Sequence, residues 1–262
     1  MSLRALLTAA TGMNAQSQNV DVVAHNVANV NTTGFKAFRA NFEDLLYQQL
    51  RPAGTQAAEG TQVPTGTQIG LGTRLVSTQR IFKEGNFLTT GNEFDIAIRG
   101  NGFFQVVQPD GSIAYTRAGA FTLDADGTIV DANGNPLEGG ITIPEDAVEV
   151  SIGQDGTVQV LVAGETDPQT VGQIELAIFI NPAGLLSVGD NLLEETAASG
   201  EPIVGTPGEE GIGEIVQGVL EASNVDVVTE LVDLVEAQRA FEFNSQVLST
   251  ANEMLQRLTS LR

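Results

Sequence analysis

The sequence contains no cysteine and no tryptophan, and only one histidine and two tyrosines. Without cysteine the chain has neither disulfides nor thiolate metal sites. The single histidine, His25, has no second imidazole with which to share a metal ion, and few aromatic rings are present on which a ligand could stack. No run of 18 apolar residues occurs, so we expect no helix that inserts into a membrane. These absences leave little material for catalysis.

Basic residues are also scarce, with 12 Lys and Arg against 33 Asp and Glu and a net charge of −21. Residues 51–217 hold 23 of the acids and six of the bases, a local net charge of −17. Such a body repels nucleic acid and anionic lipid, so we expect neither as a partner. The N-terminus, MSLRALLTAATGM, lacks the apolar core and the cleavage site of a secretory signal.

Motifs for nucleotide binding and hydrolysis are missing as well. The only lysines are Lys36 and Lys83, and neither follows a glycine-rich phosphate loop. The segment Asp124-Ala-Asp126-Gly127 matches half a calcium loop but lacks the remaining ligand spacing, so a hairpin turn is the better interpretation. The many acids leave a catalytic pair of carboxylates open, although nothing singles one out. We therefore predict no catalytic, cofactor-binding or metal-binding residues and no enzymatic activity.

The most informative pattern is in residues 223–262, where an apolar residue recurs every seven positions. These residues are Val227, Leu234, Phe241, Leu248 and Leu255. The spacing is typical of a coiled-coil helix, and Ser223 with Asp226 predicts a capping box at its start. Forty residues would form a rod of roughly 60 Å, too long to pack on one small globule. The helix therefore needs a partner helix.

The N-terminal segment supplies a candidate partner, because it has the same alternation of three- and four-residue steps. Its apolar stripe is predicted to contain Leu3, Leu6, Met13, Val20 and Val27. Between Ser2 and Thr33 the only formal charges are Arg4 and Asp21, and a helix with one wet face normally carries more. A long neutral helix is best explained if neighbouring molecules cover it, which is a first indication of an assembly. We expect this helix to end at 29–34.

Between the terminal segments the pattern changes twice. Residues 35–50 suggest a short helix, and the Pro-, Gly-, Thr- and Gln-rich residues 51–68 have no helix or strand period, which predicts a functional or disordered loop. From Gly70 to about Thr206, four Asx-Gly pairs mark hairpin turns between short β-rich runs. The predicted strands are 94–98, 102–107, 113–116, 128–130, 148–152, 158–162 and 174–180. The fold class is α+β, with a mostly antiparallel β domain inserted between the two helices.

We accordingly divide the chain into three parts. Residues 1–40 with 221–262 form the terminal-helix assembly domain, and residues 73–206 form the β domain. Residues 41–72 with 207–220 form a linker region, which includes an extended stretch at 47–66.

Three segments together resemble the axial proteins of the bacterial flagellum, the family of rod and hook subunits. The first contains Asn29, Thr32, Gly34, Phe35 and Lys36. The second contains Gly102, Phe103, Phe104, Tyr115, Thr116 and Arg117. The third contains Gln238 and Arg239, followed by Phe241 where the family often has Tyr. The motifs are in the family's order over nearly the whole chain. Its length, and the stretch 47–66 with Tyr47, Pro52 and Pro64, are most similar to the distal-rod branch.

The resemblance implies a structural protein of the flagellar basal body, a homo-oligomer that polymerises helically around a central channel and transmits motor torque. It implies as neighbours the proximal rod proteins, the hook protein and the peptidoglycan- and outer-membrane-ring proteins. It also implies passage through the flagellar export apparatus without a cleaved signal, into a rod that spans the periplasm. A different class of function stays open from the residues alone: an acidic extracellular β module that binds carbohydrate or calcium and oligomerises through a coiled coil.

Overall fold

The fold was analysed in a computed structural model. The structure describes residues 2–54, 56–58, 61–62, 64–164 and 167–260. Within these ranges only the backbone is described for residues 2, 3, 56–58, 61, 62, 258 and 259. Two helices enclose a long series of antiparallel strands along the chain, which confirms the α+β class. The chain divides into two compact units. None of the described helices is long and apolar enough to cross a membrane.

The first unit comprises residues 1–28, 38–79 and 226–262. Its helices are α1 (Ser2–Ala28) and α2 (Val227–Ser260). Its strands are β1 (Phe38–Asp44), β2 (Tyr47–Arg51), β3 (Gln56–Ala58), β4 (Thr61–Gln62), β5 (Thr67–Gly70) and β6 (Thr73–Arg80), the last of which ends in the second unit. Strand β1 pairs with β6, β2 with β5, and β3 with β4.

These strands correct two predictions. Residues 35–50 form no helix but contain strand β1 and most of β2. The predicted loop at 51–68 contains the β3–β4 pair and connects β2 to its partner β5. The side chains of β2 are exposed on both faces. A strand without a buried face has no reason to alternate apolar and polar residues, so its sequence carries no period of two.

The helices pack along a seam that differs from the predicted one in α1. The buried and half-buried row of α1 contains Ala5, Ala9, Gly12, Gln16, Asn19, Val23 and Asn26. Each position is one residue before a position of the predicted stripe. The three- and four-residue steps of that stripe also include Ala10, Ser17 and Ala24, which are exposed, whereas its members Leu6, Met13, Val20 and Val27 are half-buried. Ala9 is only 3% exposed, and a Cβ added to Gly12 would lie 2.9 Å from Asn244 Oδ1 on α2. Small residues on this row let the two backbones approach closely.

In α2 the predicted heptad stripe is partly covered. Leu234, Leu248 and Leu255 are half-buried, whereas Val227 and Phe241 are exposed. Among the α2 side chains that the structure describes, Ala237 and Ala251 are the buried ones, with 2% and 1% exposure. The helix also begins three residues later than predicted.

Its N-cap is Asp226, whose Oδ1 accepts a hydrogen bond from Val228 N at 3.0 Å. A carboxylate there satisfies a free N–H and suits the positive end of the helix dipole. Ser223 Oγ instead accepts from Val225 N at 3.3 Å, before the helix.

The second unit comprises residues 29–37 and 80–225. Its strands are β7 (Phe87–Thr89), β8 (Ile96–Arg99), β9 (Phe103–Val107), β10 (Ile113–Thr116), β11 (Thr122–Leu123), β12 (Ile129–Val130), β13 (Ala147–Ile152), β14 (Thr157–Val162), β15 (Gln169–Gln173), β16 (Leu176–Ile178), β17 (Leu186–Gly189), β18 (Leu192–Glu194), β19 (Ile203–Gly205), β20 (Glu214–Gln217) and β21 (Val219–Glu221), and a short 3₁₀ helix spans Pro182–Gly184. All seven predicted β-rich runs contain a strand.

An antiparallel six-stranded sheet, in the order β17-β18-β10-β9-β16-β19, organises this unit. Its consecutive residues point to opposite faces. Phe104, Val106 and Leu176 belong to the main core, while Phe103 and Ala177 belong to a smaller second core. The predicted turn at Asp124–Gly127 joins β11 to β12, where Asp124 Oδ1 accepts from Asp126 N and Thr128 N, both at 2.9 Å.

This division differs from the one we drew from the sequence. Residues 29–37 group with the β unit, and residues 38–72 group with the helices.

Candidate functional site

A buried cluster of charged residues occupies the β unit where two of the motif segments meet strand β21. The Nζ atom of Lys36 lies 2.6 Å from Glu221 Oε1, and Arg117 Nε lies 3.1 Å from Glu221 Oε2. The Lys36 and Glu221 side chains are 1% and 0% exposed. A charge removed from water in this way is tolerated only when it is paired and hydrogen-bonded. Glu221 therefore connects the first and second motifs electrostatically.

Backbone groups complete the hydrogen bonding of this cluster. Lys36 Nζ also donates to Lys83 O at 2.8 Å, and Gly85 N donates to Glu221 Oε1 at 3.0 Å. Arg117 Nε and Glu221 Oε2 form an ion pair that does not have the geometry of a hydrogen bond. Among the described residues, no donor makes a hydrogen bond to Oε2. Most of the directional bonding thus falls on Oε1.

Arg117 holds the second motif segment through its remaining donors. Its Nη1 donates to Gly100 O and Gly102 O, and its Nη2 donates to Gly100 O, all at 3.0 Å. The planar guanidinium presents several donors in a fixed fork, which a lysine could not do. The two glycines are needed for backbone shape, since Gly100 and Gly102 have φ of +107° and +147°.

Gly34 brings the first motif into the same place. Its N–H donates to Glu221 O at 2.8 Å, with φ of +70°. A Cβ at this position would lie 2.5 Å from Ala118 N. A side chain there would therefore collide with backbone atoms, and both its conformation and its surroundings require glycine. Thr32 Oγ1 donates to Asn29 Oδ1 at 3.2 Å, which closes the turn before it.

Asn224 fastens the segment that leads to α2. Its Oδ1 accepts from Ala37 N at 2.7 Å, and its Nδ2 donates to Ile81 O at 2.8 Å and Lys83 O at 3.0 Å. In the helical unit, Asn26 has a comparable role, with hydrogen bonds to both backbone groups of Phe38 and to Glu230 Oε1 at 3.0 Å. One amide side chain in each unit thus joins distant segments.

Burial shifts the pKa values of the cations. Desolvation lowers the pKa of Lys36 from its ordinary value, and the Arg117 charge lowers it further, while Glu221 opposes both effects. Burial likewise lowers the pKa of Arg117, again opposed by Glu221. The carboxylate is therefore what keeps both groups cationic in a poorly solvated position.

The aromatic motif residues are structural. Phe103 packs edge-to-face on Phe82 at 5.4 Å between ring centroids, and Tyr115 packs on Phe179 at 4.8 Å. Phe104 packs on Phe121 in the main core at 5.4 Å. Thr116 Oγ1 donates to Asn191 O at 3.0 Å. These contacts place the aromatic motif residues in the two hydrophobic cores of the β unit.

The third motif lies elsewhere and faces solvent. Gln238 and Arg239 are exposed on α2 of the helical unit, whereas the ion cluster belongs to the β unit. Of the predicted α1 positions, Leu6, Met13, Val20 and Val27 are half-buried, and the Leu3 side chain lies outside the described residues. On the outer face of α2, Val228, Leu231, Val232 and Val235 form an exposed apolar row, with Val228 72% exposed.

The stretch 47–66 also faces solvent where it is described. Tyr47, Pro52 and Pro64 are exposed, and the Gly70 backbone lies under the Tyr47 ring. A hydrogen bond with Asp44 raises the pKa of Tyr47. Gln48 accepts from Arg4 Nη1 of α1 at 2.7 Å.

Sequence reasoning missed Glu221, the centre of the ion cluster. A signal was present, because Glu221 is the only charged residue between Ile215 and Ser223. An isolated acid in an otherwise uncharged strand pattern indicates a buried charge with a partner. This signal could not have identified Lys36 and Arg117 as the partners of Glu221, because both are distant from it in sequence. Among the described residues, no group of three or more His, Asp or Glu side chains is arranged to hold a metal ion.

Comparisons with known proteins agree with the motif resemblance. The family described as "Flagella basal body rod protein" matches residues 6–36, "Flagellar hook protein FlgE/F/G D1 domain" matches residues 97–160, and "Flagellar basal body rod FlgEFG protein C-terminal" matches residues 216–261. The three matches include the ion cluster and both helices.

Full-length relatives extend the similarity. The flagellar basal-body rod protein FlgG of Caulobacter vibrioides is 49% identical over 261 residues, covering 99% of this chain and 100% of the relative. FlgG of Buchnera aphidicola from Schizaphis graminum is 48% identical, with 96% of each chain covered. FlgG of Bacillus subtilis is 41% identical, with 99% of each covered. The chain therefore belongs to the FlgG-containing family of flagellar basal-body rod proteins.

Proposed function

We propose that this chain is a non-enzymatic structural subunit of the flagellar distal rod, which polymerises into a rigid helical tube, encloses the export channel and carries motor torque to the hook. The observation that carries the proposal is the exposed apolar row Val228, Leu231, Val232 and Val235 on α2. Contiguous exposed apolar side chains on a soluble unit mark a protein interaction surface. Because the chain belongs to a family of rod proteins, we propose that other subunits cover this apolar row.

The polar positions of α2 extend this proposal. Gln238, Ser245 and Asn252 recur every seven residues and are exposed, and Thr259, whose side chain lies outside the described residues, continues the series. These side chains are polar and uncharged. An unfolded protein that passes along them during export would therefore be held neither by charge nor by apolar contact. We propose that they face helix neighbours or the channel.

The neighbours we propose are the proximal rod proteins, the hook protein, the peptidoglycan- and outer-membrane-ring proteins and the flagellar export apparatus, in a rod that spans the periplasm. The stretch 47–66 is proposed as an inter-subunit contact, since the strand pair β2–β5 has exposed side chains on β2, and two-stranded sheets are marginal alone.

The test is polymerisation of the purified full chain over a range of concentrations, followed by sedimentation velocity and electron microscopy. Tubes should form above a critical concentration. Val232→Ser should raise that concentration at least about tenfold, because it places a polar group in a packed apolar interface. Val148→Ser, an exposed valine of the β unit, is the matched control. A stable dimer that never polymerises and binds calcium or carbohydrate saturably would support the alternative function instead.

A further inference from the structure

A groove of about 410 Å³ lies within the β unit beside the start of strand β13. Its apolar side chains include the half-buried Phe94, Leu123, which is 38% exposed, and Val148, which is 67% exposed. Apolar side chains that converge on a groove and remain in contact with water are typical of a binding site. The groove is therefore a candidate docking site for another molecule.

Four exposed carboxylates surround this groove and form what we call its acidic rim. They belong to Glu93, Asp124, Glu145 and Glu149, and no Lys, Arg or His is among the described residues that line the groove. Within the described parts of the chain, none of the four carboxylates forms an ion pair. A cationic partner would thus meet several carboxylates that have no competing cation.

The groove also follows an open strand edge. Strand β13 is an outer strand of the sheet β13-β14-β15, so one of its edges has no neighbouring strand among the described residues. On this edge the Gln217 side chain donates to Val150 O at 2.8 Å and accepts from Ile152 N at 3.0 Å. Because alternate residues of an antiparallel strand direct their backbone groups to the same side, the Val150 N–H faces this edge as well.

We propose that the groove binds an extended segment of a partner protein in which basic and apolar residues alternate. The segment adds as a strand to the open edge of β13, where residues 147–150 line the groove and backbone hydrogen bonds supply affinity. Its apolar side chains pack on Leu123 and Val148, and its basic side chains reach the acidic rim. The β unit then has an interface separate from the apolar row on α2 that we propose for polymerisation.

Charge indicates a different protein as the occupant and argues against a second copy. Residues 51–217 of every copy have the same net charge of −17, and bringing like charges together across an interface is unfavourable. Charged side chains on an edge strand also hinder pairing with a strand of the same sign. The acidic rim therefore disfavours the β unit of another copy and selects a cationic segment.

The first test uses a synthetic peptide, acetyl-Lys-Val-Lys-Trp-Lys-Val-Lys-amide. The chain contains no tryptophan, so the indole emission of the peptide reports its binding to the full chain, which is kept below the critical concentration for polymerisation. Binding should saturate at one peptide per chain and weaken as salt screens the charges. 

Two control peptides separate this mode of binding from general attraction. A peptide of the same composition with its lysines in one block should bind at least about tenfold more weakly, because its residues no longer alternate between the two faces of a strand. The alternating peptide with N-methyl groups on three consecutive central amides keeps every side chain but loses backbone donors, and it should not bind.

Variants of the chain locate the peptide. Val148→Ser should weaken binding about five- to tenfold, because less apolar surface is buried. Glu149→Gln should weaken it about two- to fivefold and reduce its salt dependence. Leu186→Ser on β17, at 54% exposure, and the exposed Glu201→Gln are the matched controls and should change neither quantity. All four residues are exposed, so these variants should fold.

Several results would overturn the proposal. Absence of saturable binding, or equal affinity for all three peptides, would show that the groove selects no basic strand. Binding that Val148→Ser leaves unchanged and Leu186→Ser weakens would place the peptide elsewhere. A critical concentration for polymerisation that Val148→Ser raises as much as Val232→Ser does would assign the groove to a second copy. Peptide affinity and polymerisation are separate measurements, so failure of the groove and failure of the rod function are distinguishable.

Discussion

Lys36 and Glu221 are 185 residues apart in sequence, yet the Lys36 ammonium and the Glu221 carboxylate form a buried ion pair of 2.6 Å. Lys36 follows the turn after α1, and Glu221 ends the last strand before α2. The ion pair thus joins, within the β unit, the two segments that lead to the terminal helices.

Glu221→Gln should destabilise the chain strongly, because it removes the buried carboxylate that pairs with both Lys36 and Arg117. Breaking a buried ion pair by removing one partner costs about 3–5 kcal/mol. The free energy of unfolding should be measured by denaturant titration, with the exposed Glu214→Gln on β20 as the control. In a double-mutant cycle, Lys36→Met and Glu221→Gln together should cost less than their sum. A loss below about 1 kcal/mol for Glu221→Gln, the level of a surface pair, would contradict the assignment.

The helix seam is tested by a pair of adjacent substitutions. Ala9→Leu inserts a larger side chain into the tight seam and should cost about 1–3 kcal/mol through overpacking. Ala10→Leu, one residue later on the exposed face, should be nearly neutral. Thermal melting of the helical circular dichroism signal measures both effects. If Ala10→Leu is the more damaging, the seam follows the stripe predicted from the sequence.

Phe241→Ala should impair assembly more than it impairs the folded monomer. Phe241 is 41% exposed, so its truncation should cost less than the about 3–5 kcal/mol of a buried Phe. Phe121→Ala in the β core, at 1% exposure, should reach that range. Unfolding free energy and the critical concentration for polymerisation are both measured. Unchanged polymerisation by Phe241→Ala would exclude this ring from the subunit interface.

The stability of the helical unit should depend on pH through Glu230. Burial raises the pKa of Glu230, Asp233 and Asp226 raise it further, and the hydrogen bond from Asn26 opposes them. The folded state therefore binds the proton more tightly than the unfolded chain. The contribution of Glu230 to the free energy of unfolding therefore increases as pH falls from neutral toward about 5. It is lost as pH rises through the pKa that Glu230 has in the folded state.

Glu230→Gln keeps the hydrogen-bond acceptor and removes the charge. Its melting temperature at about pH 7 should equal or exceed that of the parent chain, and the difference should shrink at about pH 5. Glu236→Gln, at an exposed position of α2, is the control. A variant that is less stable at neutral pH, with a gap that narrows in acid, would show that the Glu230 charge stabilises the fold.

Deletion of residues 47–66 tests the proposed inter-subunit stretch. The deletion removes β2, β3 and β4 but neither helix nor any strand of the β unit, so the monomer should stay folded by circular dichroism. The rods it forms should be curved or flexible by electron microscopy. A Gly/Ser replacement of equal length separates the contribution of the side chains from that of chain length. Straight rods of unchanged rigidity from both variants would defeat the proposal.

The sequence by itself determined the features that depend on local chemistry. Asp110-Gly111 and Asp155-Gly156 predicted their hairpin turns because Gly supplies a positive φ at low cost, and the structure has φ of +85° and +81° there. Apolar β-branched runs predicted β13 and β14. The three motifs, each short and contiguous, were sufficient to indicate the family and the α+β class.

Only the tertiary structure decided which distant residues meet. The seam in α1 is one residue away from the predicted stripe because its inner row contains Ala9, Gly12 and Asn26, which weigh little in an apolar pattern but allow close backbone approach. Strand β2 has no buried face to impose a period on the sequence. The role of Glu221 depends on where Lys36 and Arg117 lie in space, because a buried charge is stable only beside its partner.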